Sequence, residues 1–413
     1  MPGIPTNSVY SPASADFVRY YAPNKYSKLW GWVPTGFDTQ DDIPVVVFAH
    51  GGGWLSSTHF WDDTYNVMDD DYVLQTSPEL MRALPVDSLI FDRFLAAGFA
   101  VVCVEFPMGF SESPTGQVWP ASRFPVIPRS IGLAIQMLKT WGYLGSITVG
   151  GDTVNLSTSA DRYITSGNSA GAIMCSWTAF LLDGALPYQK VEVGSHSISE
   201  WTPLFNHRVK GVINVDGICD FSRFEPTGQL AINAIAYFGN HNKWVTTGNR
   251  FAAVPTWLKE AASFLPLIER NAPDNVGVGI KAFSAGSAQN GWIFNQQSGG
   301  VAGVSPPNVY VTKAALLNTW NTTTGAIAGC QDVHEVAMFT KLEETLEGIV
   351  VANGSDPALY DVWWGNDINN PTGNYAAIWE ADGSLAEGVY DSTIVDFYDT
   401  LVPWATTTLG IEV

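Results

Sequence analysis

The chain has 413 residues, of which 46% are hydrophobic and only 15% charged. Such a composition can bury a large core and argues against an intrinsically disordered chain. Twenty Lys and Arg against forty Asp and Glu leave a formal charge of −20, which argues against nucleic acid as a partner, because phosphate binding needs a basic face.

In chain order, "FVRYYAP" and "KLWGWVP" alternate enough to predict two early strands. "DIPVVVFAHGGGW" (42–54) is a continuous apolar run ending in glycines, which predicts a buried strand feeding a tight loop. Residues 55–86, rich in aromatics and Asp, read as an insertion forming a pocket rim. "DSLIFDRFLAAGFAVVCVEF" (87–106) predicts a helix, with Gly98 near its end, and then a second buried strand. "PRSIGLAIQMLKTWGYL" (128–144) has helical spacing behind an N-terminal proline. "DRYITSGNSAGAIMCSWTAFLL" reads as strand, sharp turn and helix, and "RVKGVINVDGICDF" (208–221) as another buried strand.

Residues 222–308 hold helical stretches such as "VPTWLKEAASFLPLIERNA" and are expected to form a lid. "PALYDVWWGNDINN" predicts a late strand ending near Gly365, and 368–413 a hairpin around Ala-Asp-Gly with a helix appended to the core. Strands alternating with helices predict an α/β fold: one domain over 1–413, with a doubly wound, mostly parallel sheet and a helical lid insertion. No run reaches the ~18 apolar residues of a membrane span. The first residues carry neither the basic start nor the apolar core of a signal peptide. Localisation and oligomeric state are left open. The four cysteines are far apart, and buried thiols are expected of them rather than a disulfide framework.

Two motifs carry chemistry. In "TSGNSAGA", Gly167 and Gly171 each stand two residues from Ser169. A serine on a strand-to-helix turn is crowded by backbone, so its neighbours must be small. The turn presents Oγ above the sheet and points the N–H of Ala170 at an incipient oxyanion. In "HGGGW", His50 precedes Gly51, Gly52 and Gly53, whose backbone N–H groups can turn toward the same charge. Fixed donors there are worth roughly 3 kcal/mol each. His50 itself reads as a residue bracing the loop.

"VVVFAHGGGW", "VVCVEFPMGF" and "YITSGNSAGA" resemble the α/β-hydrolase esterases of the hormone-sensitive-lipase and carboxylesterase type. The spacing through "GGDTVNLSTSADRYITSGNSAGA" is also similar to bacterial tannase and feruloyl-esterase-like members. The resemblance runs from about residue 17 to 221. It implies Ser169 as nucleophile, Gly52, Gly53 and Ala170 as oxyanion donors, a small-molecule ester as substrate and no cofactor. The triad order would be serine, acid, histidine.

The second half departs from that pattern. Asp332 in "GCQDVHEV" stands where the acid is expected, but the expected histidine position falls among Asn366 and Asp367, and no histidine follows His334. Either His334 is the base, oriented by Asp216, by Glu335 or by Asp332, or the triad is degenerate and the fold serves binding or assembly. Residues 62–72, "DDTYNVMDDDY", could offer oxygen ligands to calcium, but the spacing lacks a loop glycine and a closing Glu, so no metal is expected. Trp30, Trp32, Trp54 and Trp61 are candidates to line an aromatic site. No Gly-x-Gly-x-x-Gly follows the first strand, which excludes a dinucleotide-binding reading.

Overall fold

A computed structural model describes residues 10, 14–22, 27–34, 42–51, 54, 85–106, 124–149, 152–168, 170–182, 204–215, 217–222, 234, 237–238, 251–271, 277–282, 360–364 and 392–411. The strands are β1 (Phe17–Tyr20), β2 (Lys28–Trp32), β3 (Val45–Ala49), β4 (Ala100–Val104), β5 (Tyr143–Val149), β6 (Asp152–Ser157), β7 (Tyr163–Asn168), β8 (Gly211–Val215), β9 (Gly277–Ala282) and β10 (Tyr360–Trp364). The α-helices are α1 (Pro85–Ala96), α2 (Val126–Trp141), α3 (Ala170–Phe180), α4 (Thr256–Ala262), α5 (Leu265–Asn271) and α6 (Ser392–Leu409).

Eight strands form one sheet in the order β1-β2-β4-β3-β7-β8-β9-β10. β1 pairs antiparallel with β2, and β2 antiparallel with β4. All later pairs, from β4–β3 to β9–β10, are parallel. The sheet is thus mixed but mostly parallel, and with its helices it makes an α/β fold.

The unbroken apolar runs of the central strands follow from burial on both faces. Val45, Val47 and Ala49 point to one face with Val102, Tyr163 and Val212, where α2 and α3 pack. Val46 and Phe48 point to the other with Val101, Cys103 and Ile164, where Phe91 and Phe94 of α1 and Leu401, Trp404 and Ala405 of α6 pack. Trp30 and Trp32 belong to this second cluster and are core residues, not lining of a site. The late helix α6 needs close backbone contact: a β-carbon at Gly211 would lie 2.7 Å from Thr408 Cγ2 and 2.9 Å from a Trp404 ring carbon.

Two features differ from the expectations. The helix expected over 128–144 ends at Trp141. Gly142 follows in the left-handed region, with φ 59°, and its N–H closes on Leu138 O; this glycine-capped end leaves Tyr143 free to begin a strand. β5 and β6 then form a separate antiparallel hairpin, tied to the main sheet where Ile43 N–H donates to Ser157 O at 2.9 Å. The second difference is β9. It lies inside the stretch expected as a lid, 222–308, yet it pairs with both β8 and β10. Within that stretch, α4 and α5 pack against α3: Trp177 Nε1 donates to Ala261 O at 2.9 Å, and the rings of Phe180 and Phe264 stack. The expected hairpin in 368–413 lies outside the described residues, as do the acidic run 62–72 and Trp61. Among the described residues, no helix is long and apolar enough to cross a membrane.

Phe91 is fully buried, with its ring 5.0 Å from Phe48 and 5.2 Å from Tyr10. Phe91→Ala should lower unfolding free energy by about 3–5 kcal/mol, read from the urea midpoint at unchanged slope. A loss under about 1 kcal/mol would mean that α1 does not anchor this face.

Candidate functional site

The loops after β3, β7 and β8 leave the sheet at the same edge, because these neighbouring strands run parallel. Ligands of open α/β sheets bind at that edge. Three sequence-predicted groups follow these strand ends: the glycine loop after Ala49, Ser169 after Asn168, and Asp216 after Val215. Ser169, Asp216, Gly52 and Gly53 themselves lie outside the described residues, and so do Asp332, His334 and Glu335. Ala170 is described; it is the first residue of α3 and is buried.

The backbone around Ser169 is nevertheless tightly defined. A β-carbon on Gly167 would sit 2.5 Å from the carbonyl carbon of Gly171 and 2.6 Å from Ala172 N. A β-carbon on Gly171 would sit 2.0 Å from Ala49 O and 2.5 Å from His50 O. Real β-carbons do not come within 3.0 Å of such atoms. The first turn of α3 is therefore folded back over the end of β7 and pressed against the exit of β3. Only glycine permits either approach, and the obstructing atoms are backbone, which cannot rotate away.

The exit of β8 is pinned to the same helix. Asn214, fully buried, donates through Nδ2 to Ser176 Oγ at 2.8 Å and to Ala172 O at 3.3 Å. Its Oδ1 accepts the N–H of Gly217 at 2.9 Å. Residues 214 and 217 are thus held on either side of Asp216. Further on, Asp220 Oδ1 accepts from Ser222 N and Ser222 Oγ, and Leu265 N–H donates to Cys219 O. This links the β8 exit to α5. Sequence reading missed Asn214, for which no local pattern gives a signal.

Two buried ionisable side chains stand at the exit of β3. His50 is fully buried and Glu105, just past β4, nearly so; His50 Nε2 lies 3.7 Å from Glu105 Oε1. His50 Nδ1 is 2.7 Å from Gly51 O. A carbonyl only accepts, so Nδ1 is the donor. The imidazole stacks on Phe106 at 4.4 Å. The expectation that His50 braces the loop agrees with this geometry; Glu105 was not foreseen.

Trp54 closes the glycine loop with φ 60°, a region that costs a bulky residue strain of order 1 kcal/mol or more. It is held by stacking at 4.5 Å on Tyr237, which in turn stacks on Phe221. Among the described candidate aromatic residues, it is the one beside the glycine loop. Burial pushes the hydroxyl groups of Tyr21, Tyr163 and Tyr237 up from their ordinary 10.0 and the Cys175 thiol up from 9.0. Cys175, under the turn, donates to Ser166 O at 3.1 Å. Cys103, Cys175 and Cys219 are buried thiols, as expected; Cys330 lies outside the described residues.

No protein-family model and no curated protein matches this chain. Among solved structures, a truncated carbohydrate esterase from gut microbiota is similar at 13% identity and TM-score 0.45, covering 96% of this chain and 100% of that one. A bifunctional GH43-CE protein of Bacteroides eggerthii is similar at 14% identity and TM-score 0.47, covering 96% of this chain but 38% of that one. A propionate-bound esterase of the Planctomycetes species Thermogutta terrifontis is similar at 13% identity and TM-score 0.38, covering 65% of this chain and 72% of that one. At these values the likenesses carry no weight, and the functional reading rests on the backbone geometry around residues 167–171.

Two outcomes follow from this geometry. Gly171→Ala should cost at least about 3 kcal/mol or abolish folding, whereas Gly132→Ala, whose β-carbon meets the tip of Leu204 at 2.4 Å, should cost less because that tip can rotate. Equal melting temperatures for wild type and Gly171→Ala would contradict the close approach. For pH, each raised group has a folded pKa above its unfolded value. Its contribution is therefore complete below the unfolded pKa and is lost as pH rises beyond it. The urea midpoint should hold from pH 7 to about 8.5 and fall by pH 10.5; an unchanged midpoint at 10.5 would contradict this burial.

Proposed function

We propose that the chain is a serine carboxylic-ester hydrolase on a doubly wound α/β-hydrolase sheet, with a cap formed within 223–276. Ser169 attacks the ester carbonyl and His334 takes its proton. The N–H groups of Gly52, Gly53 and Ala170 hold the oxyanion of the tetrahedral intermediate. The intermediate collapses to an acyl-enzyme as His334 protonates the leaving alcohol. Water, activated by the same histidine, then releases the acid. Asp216 or Asp332 orients the histidine. The chemistry requires no cofactor.

The observation that carries this reading is the contact of Gly171 with Ala49 and His50. It brings the first turn of α3, with the N–H of Ala170, against the exit of the strand that leads into Gly51-Gly52-Gly53. An oxyanion site needs donors from those two segments side by side. A glycine-rich strand-to-helix turn with an ordinary serine has no need of the exit of β3 pressed on it.

A second reading is a binding or structural protein that keeps this fold. The absence of any histidine after His334 favours it. Hydrolysis of p-nitrophenyl acetate and butyrate separates the two. Wild type should turn over, and Ser169→Ala and His334→Ala should each lose more than roughly 10³-fold in kcat/KM. Absence of Ser169-dependent hydrolysis, with longer and aromatic esters included, would leave the binding reading standing. Loss in Ser169→Ala alone would move the base to another residue.

A further inference from the structure

Two hydrogen-bonding groups near the exit of β3 take no part in the proposed reaction. Trp54 Nε1 and Tyr237 Oη are both buried, and neither has a hydrogen-bond partner among the described residues. Buried indole N–H and phenol O–H groups ordinarily find one, because an unpaired donor away from water costs stability. We propose that Trp54 and Tyr237 are specificity-determining residues that select an ester carrying an acceptor oxygen (ether, carbonyl or hydroxyl) on its acyl or alcohol part. This names a substrate class for the esterase reading above and rests on it.

Place and chemistry carry the inference together. Trp54 belongs to the same buried cluster as Ala49, the last residue of β3, and Ala170, the first of α3. Its ring lies 4.5 Å from that of Tyr237 at an interplanar angle of 26°, so the two polar atoms stand on the rims of adjoining rings. Phe221 stacks on Tyr237 at 5.5 Å, and Phe124 N–H donates to Tyr237 O at 2.7 Å, which hold the phenol in place. Trp54 keeps its ring there at φ 60°, a conformation that glycine enters without strain and that bulky residues adopt at ligand clamps. An indole N–H only donates, and a phenol O–H can donate too. Burial alone pushes the Tyr237 hydroxyl well up from 10.0, so it keeps its proton. The pair therefore offers two donors, which an acceptor oxygen can use and an alkyl chain cannot. Thr165 Oγ1 and Ser166 Oγ also lack partners among the described residues, but they sit within β7, flanked by β3 and β8. Trp404 and Thr408 pack over Gly211 at the start of β8, the edge opposite to the one where ligands of such sheets bind. A purely structural stack would be served as well by phenylalanine at both positions.

The test uses the full chain and two pairs of isosteric esters. p-Nitrophenyl methoxyacetate against p-nitrophenyl butyrate probes the acyl part, and 2-methoxyethyl acetate against butyl acetate the alcohol part. Within each pair one oxygen replaces one methylene. The ratio of kcat/KM within a pair, divided by the ratio of the hydroxide-catalysed rates, is independent of how much of the enzyme is folded. Wild type should prefer the oxygen-bearing ester of at least one pair by roughly 10-fold or more. Trp54→Phe and Tyr237→Phe keep the rings and remove the polar atoms. Each should lower that ratio by about 3-fold or more, and the double variant should bring it close to unity. Tyr237→Phe should also hold or raise the melting temperature, because it removes an unpaired buried group. A wild-type preference under about 2-fold in both pairs, or one that both single variants retain, overturns the proposal and leaves the esterase reading standing. A melting temperature lower by more than about 3 °C in Tyr237→Phe means that the hydroxyl is bonded within the protein, and equally overturns it. If wild type hydrolyses none of the four esters faster than Ser169→Ala does, the esterase reading and this proposal fall together.

Discussion

The contact of Gly171 with the carbonyls of Ala49 and His50 is the constraint on which the site depends. β3 and β7 are neighbours in the sheet, with Ala49 opposite Gly167. The chain must leave β7 and start α3 within two residues while the loop from β3 departs alongside. With a β-carbon at 171, either the helix or the end of β3 must move outward by about 1 Å. Both movements separate the donors that the proposed chemistry needs side by side. The Asn214 bonds to Ala172, Ser176 and Gly217 extend the same logic to the next strand, so that α3 is the common post for three loops.

That constraint explains what could be read without coordinates. A steric demand of this kind leaves glycines at fixed offsets, and continuous apolar runs mark strands buried on both faces. Hence β3, β4, β7, β8 and the helices α1, α2 and α3 were legible, and so was the late strand β10. The hairpin β5–β6 was not, because Gly142 was read as part of a helix rather than as its left-handed cap. β9 was not, because "GVGIKA" has two glycines and little apolar character, which suits a loop as well as a strand paired on both sides. In the site, Gly167 and Gly171 and the bracing place of His50 were legible. Glu105 and Asn214 were not: their partners are 55 and 38 residues away in sequence, and no local pattern records a pairing of that range.

His50 and Glu105 are buried at the exit of β3, with Nε2 3.7 Å from Oε1, and Phe106 packs on the imidazole. On either side of residues 52 and 53, Gly51 O accepts a hydrogen bond and Trp54 is held by ring stacking.

Within the proposed mechanism, the strand order bears on which carboxylate would orient the base. β8 adjoins β7, one step of about 4.8 Å from the strand that ends at the serine turn, whereas β10 is three steps, about 14 Å, away. Asp332 and His334 both belong to the connection between β9 and β10. Asp216 sits at the exit of β8, between two residues held by the Asn214 side chain. Asp332, two residues from the histidine, would have to double back on its own chain to face the ring. Of the two candidate acids in the proposed triad, Asp216 directly follows the strand that adjoins β7.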